Sequence, residues 1–217
     1  MVLVSASAYA ARGGTSGEEV AQRVQSQFPL LLAVTLGIVG LVLAWLLSAD
    51  PGRWSDVRWV TRRRFFWDVG LGVLVGTGLA ALYFGPLERL LDRARTALGD
   101  YVPAGSTQAT LGGSAADFFM ANVLLAPLVE EVWYRGLLHK SLTASYGLVP
   151  GAVLACIAFG LFHWPGGLWY MIATGVLVGG AFTVLRVMQD SLLALYSAHL
   201  ALNAIEFVVL VCRQRAE

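Results

Sequence analysis

An all-α, polytopic membrane protein, with about six transmembrane helices around a polar intramembrane cavity, is predicted by three observations. The chain has 217 residues, 57% of them hydrophobic and only 13% charged. Soluble globular domains carry roughly 45–50% apolar and about 25% charged residues. The apolar residues fall into six long runs separated by polar connections. None of these runs alternates with period two, which argues against a transmembrane barrel. The composition also excludes a disordered chain and a disulfide scaffold. A formal net charge of +1 provides no basic face for nucleic acid, so none is expected as a partner. The lipid bilayer of the cell (plasma or inner) membrane is the expected surroundings.

Residues 1–27 read as a retained polar tail. The Ala-x-Ala at Ala8 to Ala10 follows too short an apolar stretch for a signal peptide, and Ser16 with Glu19 forms a capping pattern for a short helix. Phe28 to Ala49 is uncharged and, at about 1.5 Å rise per residue, long enough to cross a hydrocarbon core of about 30 Å. Asp50 to Arg64 is an Arg-dense loop, and its density beside the first span points to the cytoplasmic side. Val69 to Leu87 forms the second span. Leu87 to Leu98 places Leu87, Leu90, Leu91, Ala94 and Leu98 on one face, as an interfacial amphipathic helix would. Tyr101 to Ser114 is a Gly-, Ser- and Thr-rich loop closing a 28–116 region. Residues 117–217 hold four more spans, Phe118–Leu138, Tyr146–Phe162, Leu168–Leu185 and Leu192–Val211. Cys156 and Cys212 both lie in apolar runs and read as buried free thiols.

Charged and polar side chains inside spans are costly and persist only where they face the bundle interior with partners. The third span contains Glu130, Glu131 and Arg135. Glu131 and Arg135 are four apart and share a face, whereas Glu130 points about 100° away without a local cation. A desolvated, unpartnered carboxylate suits a general base. The fourth span ends Phe159-Gly-Leu-Phe-His163, followed by Trp164-Pro165-Gly166-Gly167, which must break the helix. His199 and Asn203 share a face of the last span, with Glu206 on nearly the same stripe. An imidazole and a carboxamide side by side supply donors for an anionic intermediate. Each of these groups taken alone also fits a bland role in bracing helices. A shared site requires the fourth helix to stop inside the bundle at a water-accessible break, with His163 within about 10 Å of Glu130.

Glu-Glu-x-x-x-Arg, Phe-x-x-x-His and His-x-x-x-Asn, in that order on successive apolar helices, resemble the signature of the CPBP family. These are the CAAX-prenyl-protease and bacteriocin-processing (Abi) intramembrane endopeptidases. The resemblance covers about residues 117–211. It implies hydrolysis of a peptide bond near the terminus of a membrane-associated protein or peptide. It further implies that Glu130 activates water with His163 helping to hold it, that His199 and Asn203 form an oxyanion hole, and that Glu131 and Arg135 keep the site in shape. Small size and short Arg-rich loops suit the myxosortase-like subgroup. Glu130, His163 and His199 also make a candidate ligand set for Zn²⁺ or another divalent metal. A metal-free glutamate mechanism is favoured, because Asn is a poor zinc ligand and neither His-Glu-x-x-His nor a cysteine set is present. The rivals are a non-enzymatic membrane immunity or binding scaffold and a proton-coupled transporter. The role of Glu206 stays open, as a third acidic site residue or a partner of Arg135 or Arg186.

Overall fold

The computed structural model describes residues 17–49, 57, 59, 64–101 and 115–216. Among these residues every regular element is helical. Helix α1 (Gly17–Ala49) starts well before the apolar stretch, so residues 17–27 extend the first span's helix. Once a helix is nucleated each further residue is cheap to add, and Glu18, Glu19, Ala21, Gln22 and Arg23 are good helix formers. Helix α2 (Phe65–Leu82) continues through a π turn (Tyr83–Leu87) into α3 (Glu88–Leu98). The predicted second span and amphipathic helix are therefore one continuous run. Pro86 lies in the π turn. It lacks an N–H and its ring crowds the preceding turn, and the wider π geometry accommodates it without breaking the helix.

The third run comprises α4 (Ala115–Phe118), a π turn (Phe119–Leu125), α5 (Ala126–Glu130), a second π turn (Glu131–Leu138) and α6 (His139–Tyr146). Gly147, at φ +87°, turns the chain into α7 (Leu148–Phe162). A 3₁₀ turn (Trp164–Gly166) leads to α8 (Leu168–Ala173), a π turn (Thr174–Gly179) and α9 (Gly180–Gln189). The left-handed Asp190 then precedes α10 (Leu192–Gln214).

Among the described residues six helical runs thus occupy the predicted places. Four segments among the described residues, Leu32–Ala49, Phe65–Leu98, Leu168–Gln189 and Leu192–Gln214, are long and apolar enough to cross a bilayer, while Leu148–Phe162 is apolar but shorter. Outward-facing residues are themselves apolar, with Phe66 87% and Leu41 73% exposed. Such a surface is sustained by lipid rather than water. Of the Arg-dense loop only Val57, Trp59 and Arg64 are described, and of the Tyr101–Ser114 loop only Tyr101; the remainder, with residues 1–16, lies outside the described residues. Cys156 is half-buried with its Sγ 3.4 Å from the Thr183 Oγ1, whereas Cys212 is exposed near the end of α10, contrary to the buried thiol expected there.

The most extensive packing is between α2 and α10. Gly72 and Gly76 allow it: a Cβ on Gly76 would run into the Ala198 carbonyl, and one on Gly72 into the Ala194 carbonyl. Small residues four apart let two membrane helices approach until their backbones touch. Around this contact Leu79, Leu192, Ala194, Leu195 and Ala198 join Leu36 and Leu43 of α1, Val129 of α5 and Phe182 of α9 in one core. Gly76→Ala is therefore expected to force α2 and α10 apart. It should cost about 1–3 kcal/mol, as overpacking does, read as a lower unfolding midpoint in detergent.

Candidate active site

The site is assembled by the third run, the end of α7, and α10. Glu130 closes α5, and Glu131 opens the π turn that also carries Arg135. Glu131 is fully buried, and its Oε1 is shared by two partners: Arg135 Nη1 at 3.1 Å and His199 Nδ1 at 2.8 Å. The predicted Glu131–Arg135 pair thus forms, and the last span's histidine joins it. A carboxylate held by a buried guanidinium is ionised and accepts only, so His199 Nδ1 donates and Nε2 faces away from Glu131. Arg135 is buried against aromatic rings, its Cζ 3.9 Å from the Phe159 centroid and 5.4 Å from that of Phe182. Ring faces compensate part of the desolvation of such a cation.

Phe159 meets His163 at 4.6 Å between ring centroids and Tyr134 edge-on at 5.1 Å. Helix α7 ends at Phe162, so His163 stands at the predicted break. Its Nδ1 lies 2.8 Å from the Phe159 carbonyl oxygen. A carbonyl only accepts, so Nδ1 carries the proton and the neutral ring's Nε2 presents a lone pair. That Nε2 lies 4.0 Å from Glu130 Oε2, well inside the 10 Å the shared site requires. Beyond the break, the Asp100 carboxylate accepts from the Trp169 backbone N–H at 3.4 Å and the Trp169 indole N–H donates to the Gly99 carbonyl at 2.8 Å. A carboxylate from a distant segment thereby caps the first turn of α8.

Asn203 lies one turn beyond His199 on α10, and its Nδ2 donates to the Asn122 carbonyl at 2.7 Å. One N–H of that amide remains for another acceptor. Glu130 Oε2, Glu131 Oε2 and Arg135 Nη2 are among the buried side-chain atoms that have no hydrogen-bond partner within the described residues. Buried polar atoms are rarely left so, and their gathering in one place marks a site built for something else to enter. Arg186 pairs with Asp190 at 3.2 Å, so neither it nor Arg135 takes Glu206, whose electrostatic neighbours are His199, Tyr83 and Tyr170.

Among the described residues no group of three or more His, Cys, Asp or Glu converges as a metal-ligand set. The geometry therefore brings together Glu130, Glu131, Arg135, Phe159, His163 and His199, with Asn203 alongside. It adds Asn122, Phe182 and Tyr170, which sequence reasoning passed over. Asn122 enters through its backbone carbonyl, which no residue type signals, while its own amide turns to the Phe118 carbonyl. Phe182, one more aromatic residue in a greasy helix, carries no signal either.

Residues 113–205 match the family model described as type II CAAX prenyl endopeptidase Rce1-like. Over this segment, somewhat under half of its length, the chain is similar to the Rce1-like family. No curated protein and no solved structure matches the chain. The Rce1-like segment runs from just before α4 to the middle of α10 and contains all three motifs, so the CPBP resemblance and the family match rest on the same helices. Helices α1 to α3 lie outside it.

Proposed function

We propose that the protein is an intramembrane endopeptidase of the cell membrane, hydrolysing a peptide bond near the terminus of a membrane-associated protein or peptide. The observation that carries this reading is the 4.0 Å gap between Glu130 Oε2 and His163 Nε2. Two acceptors at that separation each reach one water oxygen at about 2.8 Å. Such a water donates one hydrogen to the imidazole and one to the carboxylate, leaving its lone pairs free for a carbonyl carbon. Glu130 takes the proton as the O–C bond forms and returns it to the amine as the C–N bond breaks. The Rce1-like family match supports the reaction class.

The free N–H of Asn203 and Nε2 of His199 serve the oxyanion. With Nδ1 committed to Glu131, Nε2 donates only as the imidazolium, and Glu131 is the counter-ion for that form. Arg135 shares the same carboxylate and fixes its position. This scheme needs no metal, and EDTA or phenanthroline leaves activity unchanged if it is correct.

The test is cleavage of membrane-anchored peptides by purified protein in detergent or liposomes, with Glu130→Ala and His199→Ala beside wild type. Equal cleavage by all three removes these residues from the chemistry, and loss of activity to chelators replaces the metal-free scheme. Asn203→Ala is expected to lower kcat by about 10²–10³-fold, as loss of one oxyanion donor does, with KM little changed.

A further inference from the structure

Glu206 takes no part in the reaction above, and the family match stops one residue short of it. It sits on α10 three residues past Asn203 and seven past His199, one and two turns along the same stripe. At 1.5 Å per residue it lies about 10 Å along the axis from His199. The side chain is half-buried, with Tyr83, Tyr170 and His199 as electrostatic neighbours. Tyr170 in turn packs against His163, with ring centroids 5.9 Å apart. The Glu206 carboxyl and the Tyr170 phenol thus neighbour the imidazoles of the site, and the Tyr83 phenol neighbours that carboxyl and phenol in turn. Tyr83 belongs to the first π turn and Tyr170 to α8. Residues of the run that carries Tyr83 and of α8 also bound an apolar groove of about 320 Å³, lined by Leu82, Leu87, Leu91, Trp169 and Ile172.

No described residue gives the Glu206 carboxyl a hydrogen bond or a salt bridge. Arg95 and Arg213, the cations near Tyr83, are engaged elsewhere. Arg95 is held by Asp92 at 3.1 Å and Asp100 at 3.2 Å, and Arg213 by both oxygens of Glu88 at 2.7 Å. An uncompensated carboxyl inside a membrane bundle is costly and marks a path or site for something that compensates it.

We infer that Glu206, flanked by Tyr83 and Tyr170, is a specificity-determining residue that receives a Lys or Arg side chain of the peptide substrate. The inference rests on the peptidase reading above. An ammonium or guanidinium supplies the missing counter-charge, the phenolic oxygens accept its remaining N–H groups, and the rings offer it their faces. An extended peptide advances about 3.3 Å per residue. The offset from His199 therefore corresponds to a side chain about three residues from the cleaved bond. The groove between the run that carries Tyr83 and α8 gives the rest of such a peptide an apolar bed.

The experiment uses short apolar peptides carrying a single Arg at each position in turn, with norleucine counterparts. Binding is read by fluorescence anisotropy to full-length Glu130→Gln protein in detergent, which separates binding from turnover. One Arg position is expected to bind about 10–100-fold more tightly than norleucine, the scale of a buried charge pair. In Glu130→Gln/Glu206→Gln protein that ratio falls toward one, and in Glu130→Gln/Glu206→Lys protein a Glu-bearing peptide at the same position is preferred instead. Absence of an Arg preference, or its survival in the Glu206→Gln background, overturns the inference. So does an equal loss of binding for Arg and norleucine peptides, which marks Glu206 as structural. A Glu206-dependent preference in a protein that cleaves nothing leaves this site standing and removes the peptidase reading. Cleavage indifferent to Arg does the reverse.

Discussion

Glu130→Gln is expected to lower kcat for peptide cleavage by about 10²–10⁴-fold, the usual worth of a general base. The amide keeps the size and shape of the carboxyl but cannot take a proton from water. The gap to His163 Nε2 then holds a water that is positioned and not activated. KM should change little, because the water and not the peptide has lost its partner. Single-turnover kinetics with an excess of protein over peptide check this directly. The same variant should unfold at nearly the wild-type midpoint, since Glu130 Oε2 makes no hydrogen bond with a described residue to lose.

Glu131→Ala is expected to behave differently, damaging the fold as well as the reaction. Glu131 is the common acceptor of Arg135 and His199 and has no exposed surface. Its removal strands a buried guanidinium, a change that costs about 3–5 kcal/mol. Glu131→Leu combined with Arg135→Met removes both charges and keeps the volume, and should recover most of that stability. Activity should stay lost in the double variant, because His199 no longer has the acceptor that fixes its tautomer. Denaturant titrations in detergent, run beside the cleavage assay, separate the two effects. Recovery of activity together with stability would show that the pair serves packing alone.

The contrast between these neighbouring carboxylates was visible in the amino-acid sequence, because a four-residue spacing gives Glu131 a cation and gives Glu130 none. Helices were legible for the same reason: uncharged runs of that length have few alternatives to crossing a bilayer. The π turns were not. They alter the twist of a run without altering its composition, so the apolar pattern through Tyr83–Leu87 reads like that of any span. Asn203 shows another limit. Its partner is the Asn122 carbonyl, and a backbone atom leaves no mark in the residue type. Gly72 and Gly76 were readable as a small-residue repeat in an apolar helix, a pattern obscured by the many other glycines of the chain.

The glycine contact between α2 and α10 also bears on how the protein can be divided. Helix α10 delivers His199 and Asn203, yet the surface that holds Ala194, Ser197 and Ala198 in place belongs to α2, outside residues 113–205. What is inherited as a recognisable unit is therefore smaller than what must fold as one. A fragment trimmed to the recognisable unit would lack the wall against which its last helix is set. The amino-terminal half therefore carries a requirement of shape: a strip narrow enough for two backbones to meet.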